Sequence, residues 1–415
     1  MYFRNRLVLN KKYMKKKIGF RYYKKGYNLP ERVSFCKRCI NSNQRPHLKF
    51  DEDGVCSACH YYDYKNSKVN WDMREKELQK LLKKHRKNDG SYDVIVPSSG
   101  GKDSSFVAHI LKNKYNMNPL TVTWSPNIYT EIGFQNHQSL IHEGNLGNIL
   151  VTPPGKIHKK LTQLSLEVLG DPFLPFIFGQ MNCPLQMSIK FKIPLIFYGE
   201  NPAAEYEGDI KASLNPKRGL LSKNNEKFFM SGIPPEKFID YGVKKKDLVP
   251  YKKPSNKEII KNKTELHYFS YYYNWVNQNN YYYAVKNTGF KPNPDRTEGT
   301  YSKYASLDDK IDGFHYYFMF IKFGFARATS DAAIETRDGF ITRNEALELV
   351  GKFDGEFPKK YFKTFLDYCE ITESQFTEYV DSWRPKHLWI KDKNTWKLRH
   401  KVNGDGFDDW KKNTN

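Results

Sequence analysis

The stretch that decides the fold is a glycine-containing loop, which reads Pro97-Ser98-Ser99-Gly100-Gly101-Lys102-Asp103-Ser104-Ser105. The apolar segment 92–97 before it predicts a short strand, and the amphipathic segment 104–115 after it predicts a helix. Two adjacent glycines let the backbone turn tightly and approach a phosphate without a Cβ clash. The unpaired N–H groups that open the helix suit an anion. The loop therefore predicts a phosphate site at the carboxyl end of a strand, where parallel sheets bind ligands.

The polar side chains of the loop have separate expected roles. Ser99 and Ser104 can donate hydroxyl hydrogen bonds to a phosphate, and Lys102 can add positive charge. Asp103 is unfavourable beside a phosphate unless it binds Mg²⁺ or caps the helix. The spacing differs from the Walker A pattern, G-x-x-x-x-G-K-S/T. The alternative is an ordinary glycine-rich turn between a strand and a helix.

The six residues from Ser99 to Ser104 match the S-G-G-x-D-S signature, and over about residues 90–250 the chain resembles the PP-loop ATP pyrophosphatases. In that family ATP adenylylates an oxygen, pyrophosphate leaves, and a nucleophile displaces AMP. The resemblance implies ATP as cofactor, Mg²⁺ at Asp103, and catalytic roles for Ser99, Lys102 and Asp103. The ATP-binding residues that it implies are Pro97, Ser98, Ser99, Gly100, Gly101, Lys102, Asp103, Ser104, Trp124 and Gly199.

Strands and helices alternate on both sides of the loop. An amphipathic helix is predicted at 71–87, and the periodicity then predicts strands at 120–124, 148–152 and 194–198 and helices at 131–143, 156–169 and 181–191. This alternation predicts an α/β fold, with a mostly parallel sheet covered on both faces, over residues 67–250. Helical patterns at 306–323, 343–351, 358–368 and 373–383 predict a mainly helical C-terminal region over 251–415.

Four of the six cysteines form two C-x-x-C pairs, at Cys36, Cys39, Cys56 and Cys59. This is the spacing of a zinc ribbon, in which four thiolates complete a closed structural site. We predict a structural Zn²⁺ in a ribbon over residues 34–66. An iron–sulfur cluster or four free thiols are the alternatives.

The composition limits the kind of protein. The chain has 415 residues and a formal net charge of +22, and 39% of its residues are hydrophobic, which is too apolar for a disordered chain. The charge favours anionic partners. Residues 1–33 form a basic and aromatic arm, which is either a polyanion-binding segment or a solvated extension. No apolar run is long enough for a membrane span and no secretory signal is present, so we expect a cytoplasmic protein.

Two further polar segments are candidate sites. Glu200 and Glu205, after the fourth strand, could bind Mg²⁺ or orient a substrate amine, and Asn201 could bind a sugar or amide; a polar surface loop is the alternative. In the segment 293–304, Arg296 and Lys303 suit a diphosphate or carboxylate. The composition of the next segment, 308–331, favours a solvated helix face over a site.

The segments 199–202, 293–303, 304–310, 323–331 and 354–358 resemble the N-acetyl sugar amidotransferases, so that the likeness covers about residues 33–390. That family makes acetamidino sugars for lipopolysaccharide O-antigens and flagellar glycans. The resemblance implies a nucleotide-linked N-acetyl sugar as substrate, with a glutaminase and a cyclase-like ammonia-channel subunit as partners. It adds catalytic roles for Glu200, Asp295 and Arg296. The substrate-binding residues that it implies are Asn201, Glu205, Arg296, Glu298, Tyr301 and Lys303.

Two other classes of function compete with this interpretation. A tRNA-modifying PP-loop enzyme of the thiolase type also combines cysteine pairs with this loop, and the charge of +22 fits tRNA. Thiolation usually needs paired cysteines after the loop, however, and only the isolated Cys183 and Cys369 lie there. A non-catalytic zinc-ribbon adaptor that binds nucleotide is the third class, and the intact loop argues against it. Nucleic acid is therefore an unlikely partner.

Overall fold

The computed structural model describes residues 20–221 and 233–408. Most of the basic arm predicted at 1–33 lies outside the described residues, apart from the helix α1 (Phe20–Tyr27) and the turn after it. Within the described ranges, no helix combines the length and the apolarity that crossing a bilayer would require.

A five-stranded parallel sheet forms the centre of the fold, in the order β3-β2-β1-β4-β5. Its first four strands confirm the four predicted ones, with ends that differ by no more than two residues. The strands are β1 (Val94–Pro97), β2 (Pro119–Trp124), β3 (Gly147–Val151), β4 (Leu195–Tyr198) and β5 (Glu265–Tyr268).

Helices connect the strands and form most of the C-terminal region, as the sequence predicts. Before and within the sheet they are α2 (Ser57–Ser67), α3 (Trp71–His85), α4 (Lys102–Asn113), α5 (Glu131–His142), α6 (Gly155–Leu169), α7 (Leu174–Phe191), α8 (Pro202–Glu205), α9 (Ile210–Ser213) and α10 (Asn256–Asn262). After the sheet they are α11 (Asn277–Thr288), α12 (Asp312–Phe323), α13 (Arg327–Asp338), α14 (Arg343–Phe353), α15 (Phe362–Cys369) and α16 (Glu373–Ser382).

The sheet is covered on both faces because successive strand residues point to opposite sides. Val94 and Val96 pack with the buried face of α4, whereas Ile95 packs with α6 and α7 in a separate core. Both cores consist of fully buried aliphatic and aromatic side chains, so the strands read as continuous apolar runs. This two-sided burial explains why the alternating pattern predicted the sheet.

Three features of the fold differ from the predictions. The sheet does not end at the predicted boundary of 250, since β5 at Glu265–Tyr268 pairs with β4. The helix predicted at 181–191 begins earlier, at Leu174, and continues through Pro184. A hairpin of β6 (Trp389–Asp392) and β7 (Thr395–Leu398) follows the C-terminal helices. The strand and the hairpin are short segments in which periodicity is weak, and the first part of α7 is apolar on all sides, so tertiary packing fixes all three.

The C-terminal region packs against the carboxyl edge of the sheet through Asp309. Its buried carboxylate accepts hydrogen bonds from the backbone N–H of Asn127, at 2.5 Å, and from the side-chain amide of the same residue, at 2.9 Å. A backbone bridge joins Tyr129 to Asp309. These contacts bring the segment that precedes α12 to the loop that follows β2.

Candidate functional site

The site lies where the order of the strands reverses. β1 and β4 are neighbours, but the chain leaves β1 towards β2 and β3 on one side and leaves β4 towards β5 on the other. Such a switch point opens a crevice at the carboxyl ends of the two strands. The loop after β1 and the residues Gly199 and Glu200 after β4 line this crevice.

The loop after β1 is held in one conformation by its glycines and serines. Gly100 has φ of +91°, and a Cβ on it would lie 2.6 Å from the backbone nitrogen of His137. The Ser98 hydroxyl donates to Ser104 Oγ at 2.8 Å and accepts the Gly100 N–H at 3.3 Å. Gly101 is the N-cap of α4, which leaves the first N–H groups of that helix without helical partners. The loop is thus arranged to receive an anion.

Lys102 and Asp103 form an ion pair beside the loop. The Lys102 ammonium lies 2.7 Å from both carboxylate oxygens of Asp103 and is 8% exposed, whereas Asp103 is 38% exposed. The buried Asn280, which the sequence did not single out, donates to Asp103 at 3.3 Å. A carboxylate is a suitable ligand for Mg²⁺. An ion bound at Asp103 would have to displace the Lys102 ammonium, which could then turn towards a phosphate.

Two cavities meet at the loop. The main cavity has a volume of about 590 Å³ and runs from the loop and Trp124 to α12 and α13. The second cavity, of about 340 Å³, lies towards α5 and the segment before α12. All the predicted ATP-binding residues line one cavity or both. Residues that line both are Ser99, Gly101, Asp103, Phe176, Ile177, Gln180, His315, Tyr316 and Arg327.

Glu200 lies in the main cavity near the loop, as predicted for a catalytic residue. Its carboxylate accepts a hydrogen bond from the Tyr206 hydroxyl at 2.9 Å. Burial, reinforced by the negative charge of Asp103, raises the pKa of Glu200 to about 7. The carboxyl group therefore exchanges its proton near neutral pH.

The raised pKa of Glu200 predicts a pH-dependent stability. Between the unfolded pKa, about 4.3, and the folded pKa of about 7, the folded chain binds the extra proton, so stability decreases as pH rises through this window. Glu200→Gln removes the group. We expect the free energy of unfolding of this variant, relative to that of the wild type, to be higher at pH 8 than at pH 5 by roughly 1 kcal/mol or more. Urea unfolding at both pH values measures this, and a constant difference between the two proteins would contradict the assignment.

Asn201 and Glu205, predicted to bind substrate, are directed away from both cavities. The Asn201 side chain caps α8 by accepting the Ala203 N–H at 3.2 Å. Glu205 forms a buried ion pair with Lys65 of α2 at 3.3 Å. Neither residue lines either cavity, and both side chains serve the packing around α8, so that their role in substrate binding stays a prediction.

The segment 293–303 is also outside both cavities. The Arg296 guanidinium forms a two-pronged pair with Glu356 at 2.6 and 2.8 Å and lies 4.4 Å from the Phe353 ring centroid. Asp295 is exposed. Glu298 accepts the Lys360 N–H, the Tyr301 hydroxyl donates to Glu335, and Lys303 donates to the Pro294 carbonyl.

The structure places none of these five residues on either cavity. Distant partners from α13 and from the segment after α14 bind Arg296, Glu298 and Tyr301, whereas Asp295 is exposed and Lys303 binds within its own segment. The charges of segment 293–303 predicted a ligand site, but the same charges can instead be paired with other residues of the protein, as Arg296 is with Glu356. Only the tertiary partners distinguish the two.

The paired state of Arg296 predicts a structural role. We expect Arg296→Ala to lower the free energy of unfolding by about 1–2 kcal/mol, since it leaves Glu356 without its partner. Glu356→Gln is the matched control and should cost a similar or smaller amount. Urea unfolding and ATP affinity measured on both variants check this. A loss of ATP affinity at unchanged stability would restore the catalytic role of Arg296.

The sequence missed several side chains that the structure brings to the main cavity. His315 and Asp171 form a buried pair at 2.9 Å, and Arg327 is held by the Tyr316 hydroxyl at 2.7 Å and by Asp331. The segment 308–331 was expected to be a solvated helix face, but α12 is largely buried. The sequence signal for this burial was a histidine and a lysine among eight apolar and aromatic residues of α12, since a buried charge needs a partner.

The cysteine region also contributes to the main cavity, through Arg45. One guanidinium nitrogen donates to Ser330 Oγ at 2.7 Å, and the guanidinium stacks 4.5 Å from the Phe325 ring centroid. Arg45 lies in the loop between the two C-x-x-C pairs. The ribbon is therefore part of the wall of the cavity.

The four paired cysteines converge on one point, as predicted. Their Sγ atoms all lie within 4.8 Å of one another, and three of the Sγ–Sγ distances are 3.6, 3.7 and 3.8 Å. Metal–sulfur bonds of about 2.3 Å in a tetrahedron place the sulfurs about 3.8 Å apart. All four residues are buried. The cluster fits one tetrahedral metal ion.

Three solved structures show a distant likeness to this chain. NH3-dependent NAD synthetase from Campylobacter jejuni is 17% identical, and the match covers 47% of this chain and 93% of the synthetase, with a TM-score of 0.27. NMN synthetase from Francisella tularensis is 10% identical, covering 66% and 94%, with a TM-score of 0.24. A tRNA thiolase from Methanococcus maripaludis, solved with its 4Fe–4S cluster, is 16% identical, covering 72% and 88%, with a TM-score of 0.26. At these scores none of them bears on the reaction.

Sequence relatives match parts of the chain. An uncharacterized protein of Methanocaldococcus jannaschii is 28% identical over 88 residues, which span 21% of this chain and 31% of that protein. Residues 298–403 match the family described as "LPS biosynthesis protein WbpG-like, C-terminal domain". This range begins within the segment 293–303 and includes α12 and α13, which line the main cavity. The C-terminal region is thus similar to WbpG-like lipopolysaccharide biosynthesis proteins, in support of the family resemblance seen in the sequence.

Proposed function

We propose that this chain is an ATP-dependent amidotransferase, which converts the N-acetyl group of a nucleotide-linked sugar into an acetamidino group during surface polysaccharide synthesis. One observation carries the proposal. The glycine-containing loop after β1 and the helices of residues 298–403, which match the WbpG-like family, line the same cavity. Asp103 lies on the loop side of this cavity and Arg327 on the helical side. A nucleotide held by the loop would therefore face a substrate held by the C-terminal helices.

The chemistry explains the need for such a loop. The oxygen of an acetamide is a poor leaving group, so it must be activated before nitrogen can replace it. In the proposed reaction this oxygen attacks the α-phosphorus of ATP, the bond to the β-phosphate oxygen breaks, and pyrophosphate leaves. The product is an O-adenylyl imidate. Ammonia then forms a bond to the imidate carbon, and AMP leaves with the former acetamide oxygen.

The loop residues stabilise the leaving pyrophosphate in this proposal. The N–H groups that open α4 and the hydroxyl of Ser99 would hold its oxygens, and Lys102 would add charge once released from Asp103. Mg²⁺ at Asp103, when bound, would neutralise part of the charge that develops on the phosphates. For the four-cysteine cluster, the closed and buried set of thiolates supports a structural Zn²⁺.

Ammonia would come from partner proteins. Among the described residues, the two cysteines outside the cluster, Cys183 and Cys369, are buried and line neither cavity. Burial raises the pKa of Cys183 to about 12 and also raises that of Cys369, so both stay as unreactive thiols. Neither suits a glutaminase nucleophile or a sulfur carrier. This supports a separate glutaminase and channel subunit, and it counts against thiolation of tRNA.

A substrate panel tests the proposed function. The purified chain, with Mg-ATP and a high concentration of ammonium, is incubated with nucleotide-linked N-acetyl sugars or with total tRNA. We expect pyrophosphate release only with a sugar, and a product whose mass has changed by the replacement of O with NH. Glutamine in place of ammonium should give no product without partner subunits. Release that depends on tRNA and not on any sugar would overturn the proposal.

A further inference from the structure

His315 and Asp171 form a buried pair, of which His315 lines both cavities and Asp171 lines the main one. His315 Nδ1 lies 2.9 Å from Asp171 Oδ1, and the side chains are 5% and 4% exposed. Asp171 also accepts the Phe173 N–H at 3.0 Å, which fixes its carboxylate at the start of α7. An ionised carboxylate accepts hydrogen bonds only, so Nδ1 carries a proton, and in the neutral imidazole the lone pair is on Nε2. Among the described residues, none is hydrogen-bonded to Nε2.

The surroundings of His315 are well defined. Its own helix α12 contributes Asp312, Lys322 and Tyr316, and the loop before α7 contributes Asp171. Arg327 of α13 approaches from the other side, where it contacts the Tyr316 hydroxyl. Burial alone would lower the pKa of His315, but the Asp171 carboxylate outweighs it and the pKa is raised above its usual value.

The proposed reaction has a proton to move. When the acetamide oxygen attacks the α-phosphorus, the acetamide nitrogen loses its hydrogen and the neutral O-adenylyl imidate forms. When ammonia has added, two of its hydrogens stay on the new nitrogen and the third leaves with the phosphate oxygen of AMP, while the acetamide nitrogen regains its own proton to give the amidinium product. A base beside the acetamide would remove the proton in the first half and return it in the second. Removal of the N–H proton also places negative charge on the amide oxygen, which makes that oxygen a far better nucleophile.

We infer that His315, oriented by Asp171, is the residue that takes this proton on Nε2 and returns it, which makes His315 a catalytic residue and Asp171 a positioning residue. The inference rests on the proposed function. It assigns the acetamido group of the sugar to the part of the cavity between the loop and α12. The arrangement has the same logic as other carboxylate–histidine pairs, in which the carboxylate fixes the tautomer and stabilises the imidazolium that forms.

The test separates this inference from the proposed function. Sugar-dependent exchange of labelled pyrophosphate into ATP reports the first half-reaction. If the wild type shows none with any sugar, the proposed function itself fails. If it does, His315→Gln should reduce the exchange rate by about 10²–10⁴-fold. The ATP affinity of this variant should remain within a few-fold of the wild-type value, since His315 does not hold the conformation of the loop after β1.

Two further variants complete the experiment. Asp171→Asn should lower the exchange rate and shift the acidic limb of its pH profile to lower pH, because the imidazolium loses its stabilising charge. The control is His267→Gln, a buried histidine of β5 that is hydrogen-bonded to Tyr272 and lines neither cavity. It should leave exchange unchanged in chains that remain folded. Exchange by folded His315→Gln at the wild-type rate, or an unshifted limb in Asp171→Asn, would overturn the inference.

Discussion

Gly100→Ala is expected to reduce ATP-dependent pyrophosphate exchange by about 10²-fold or more. An alanine would need the left-handed φ of +91°, and its Cβ would lie 2.6–2.7 Å from the backbone of Asn136 and His137. Both residues lie in the middle of α5, so neither can move without shifting that helix. The loop would therefore open and its N–H groups would no longer converge on a phosphate. The free energy of unfolding should also decrease, by about 1–3 kcal/mol.

Gly90→Ala is the matched control for this change. Gly90 also has a positive φ, +79°, but a Cβ on it would meet no atom within 4 Å. Gly90→Ala should therefore report the backbone strain alone. Its free energy of unfolding should fall by about 1 kcal/mol, and its rate of pyrophosphate exchange should equal that of the wild type. Urea unfolding and exchange are measured on both proteins. Equal behaviour of the two variants would show that the close approach at Gly100 does not matter.

Cys39→Ser is expected to remove the bound metal and to lower the free energy of unfolding by at least about 3 kcal/mol, because a structural metal site contributes its binding energy to folding. The variant should also lose activity while it is still folded, since the ribbon supplies Arg45 to the main cavity. Metal content by mass spectrometry, thermal unfolding and pyrophosphate exchange measure the three effects. A strong chelator should reproduce them in the wild type.

Cys183→Ser is the control for the cysteine variant. Cys183 is as fully buried as Cys39 but belongs to the core of α7. Its replacement should cost about 1–2 kcal/mol for burying a hydroxyl, with the metal retained. A wild type that contains no metal, or a Cys39→Ser variant that keeps both its metal and its melting temperature, would show that the four cysteines do not hold a structural metal ion.

The parts of the fold that the sequence predicts well are those in which local pattern and tertiary role agree. Val94, Ile95 and Val96 read as one apolar run because both faces of β1 are buried. The capping box of Thr342 and Glu345 at the start of α14 is such a local feature, since it needs only two residues three positions apart. β5, by contrast, is four residues with a buried histidine, and pairing with β4 makes it a strand.

The candidate site divides in the same way. The loop from Ser98 to Asp103 was recognised because its conformation depends on its own glycines and serines. His315 was not recognised as part of a site, since its significance comes from Asp171, 144 residues away. Arg296 was misplaced for the converse reason, because its distant partner Glu356 takes up the charge that the sequence assigned to a ligand.

The sequence by itself determined the phosphate-type loop, the parallel sheet behind it and the clustering of four cysteines. Each depends on residues close together in the chain, whose conformational preferences and spacing are local properties. The tertiary structure alone decided which charges face the cavity, because a charged side chain is a site residue or a structural one according to its partner. That partner was Glu356 for Arg296, and Asp171 for His315. Folding sets such long-range pairs through the packing of whole elements, which residue spacing does not encode.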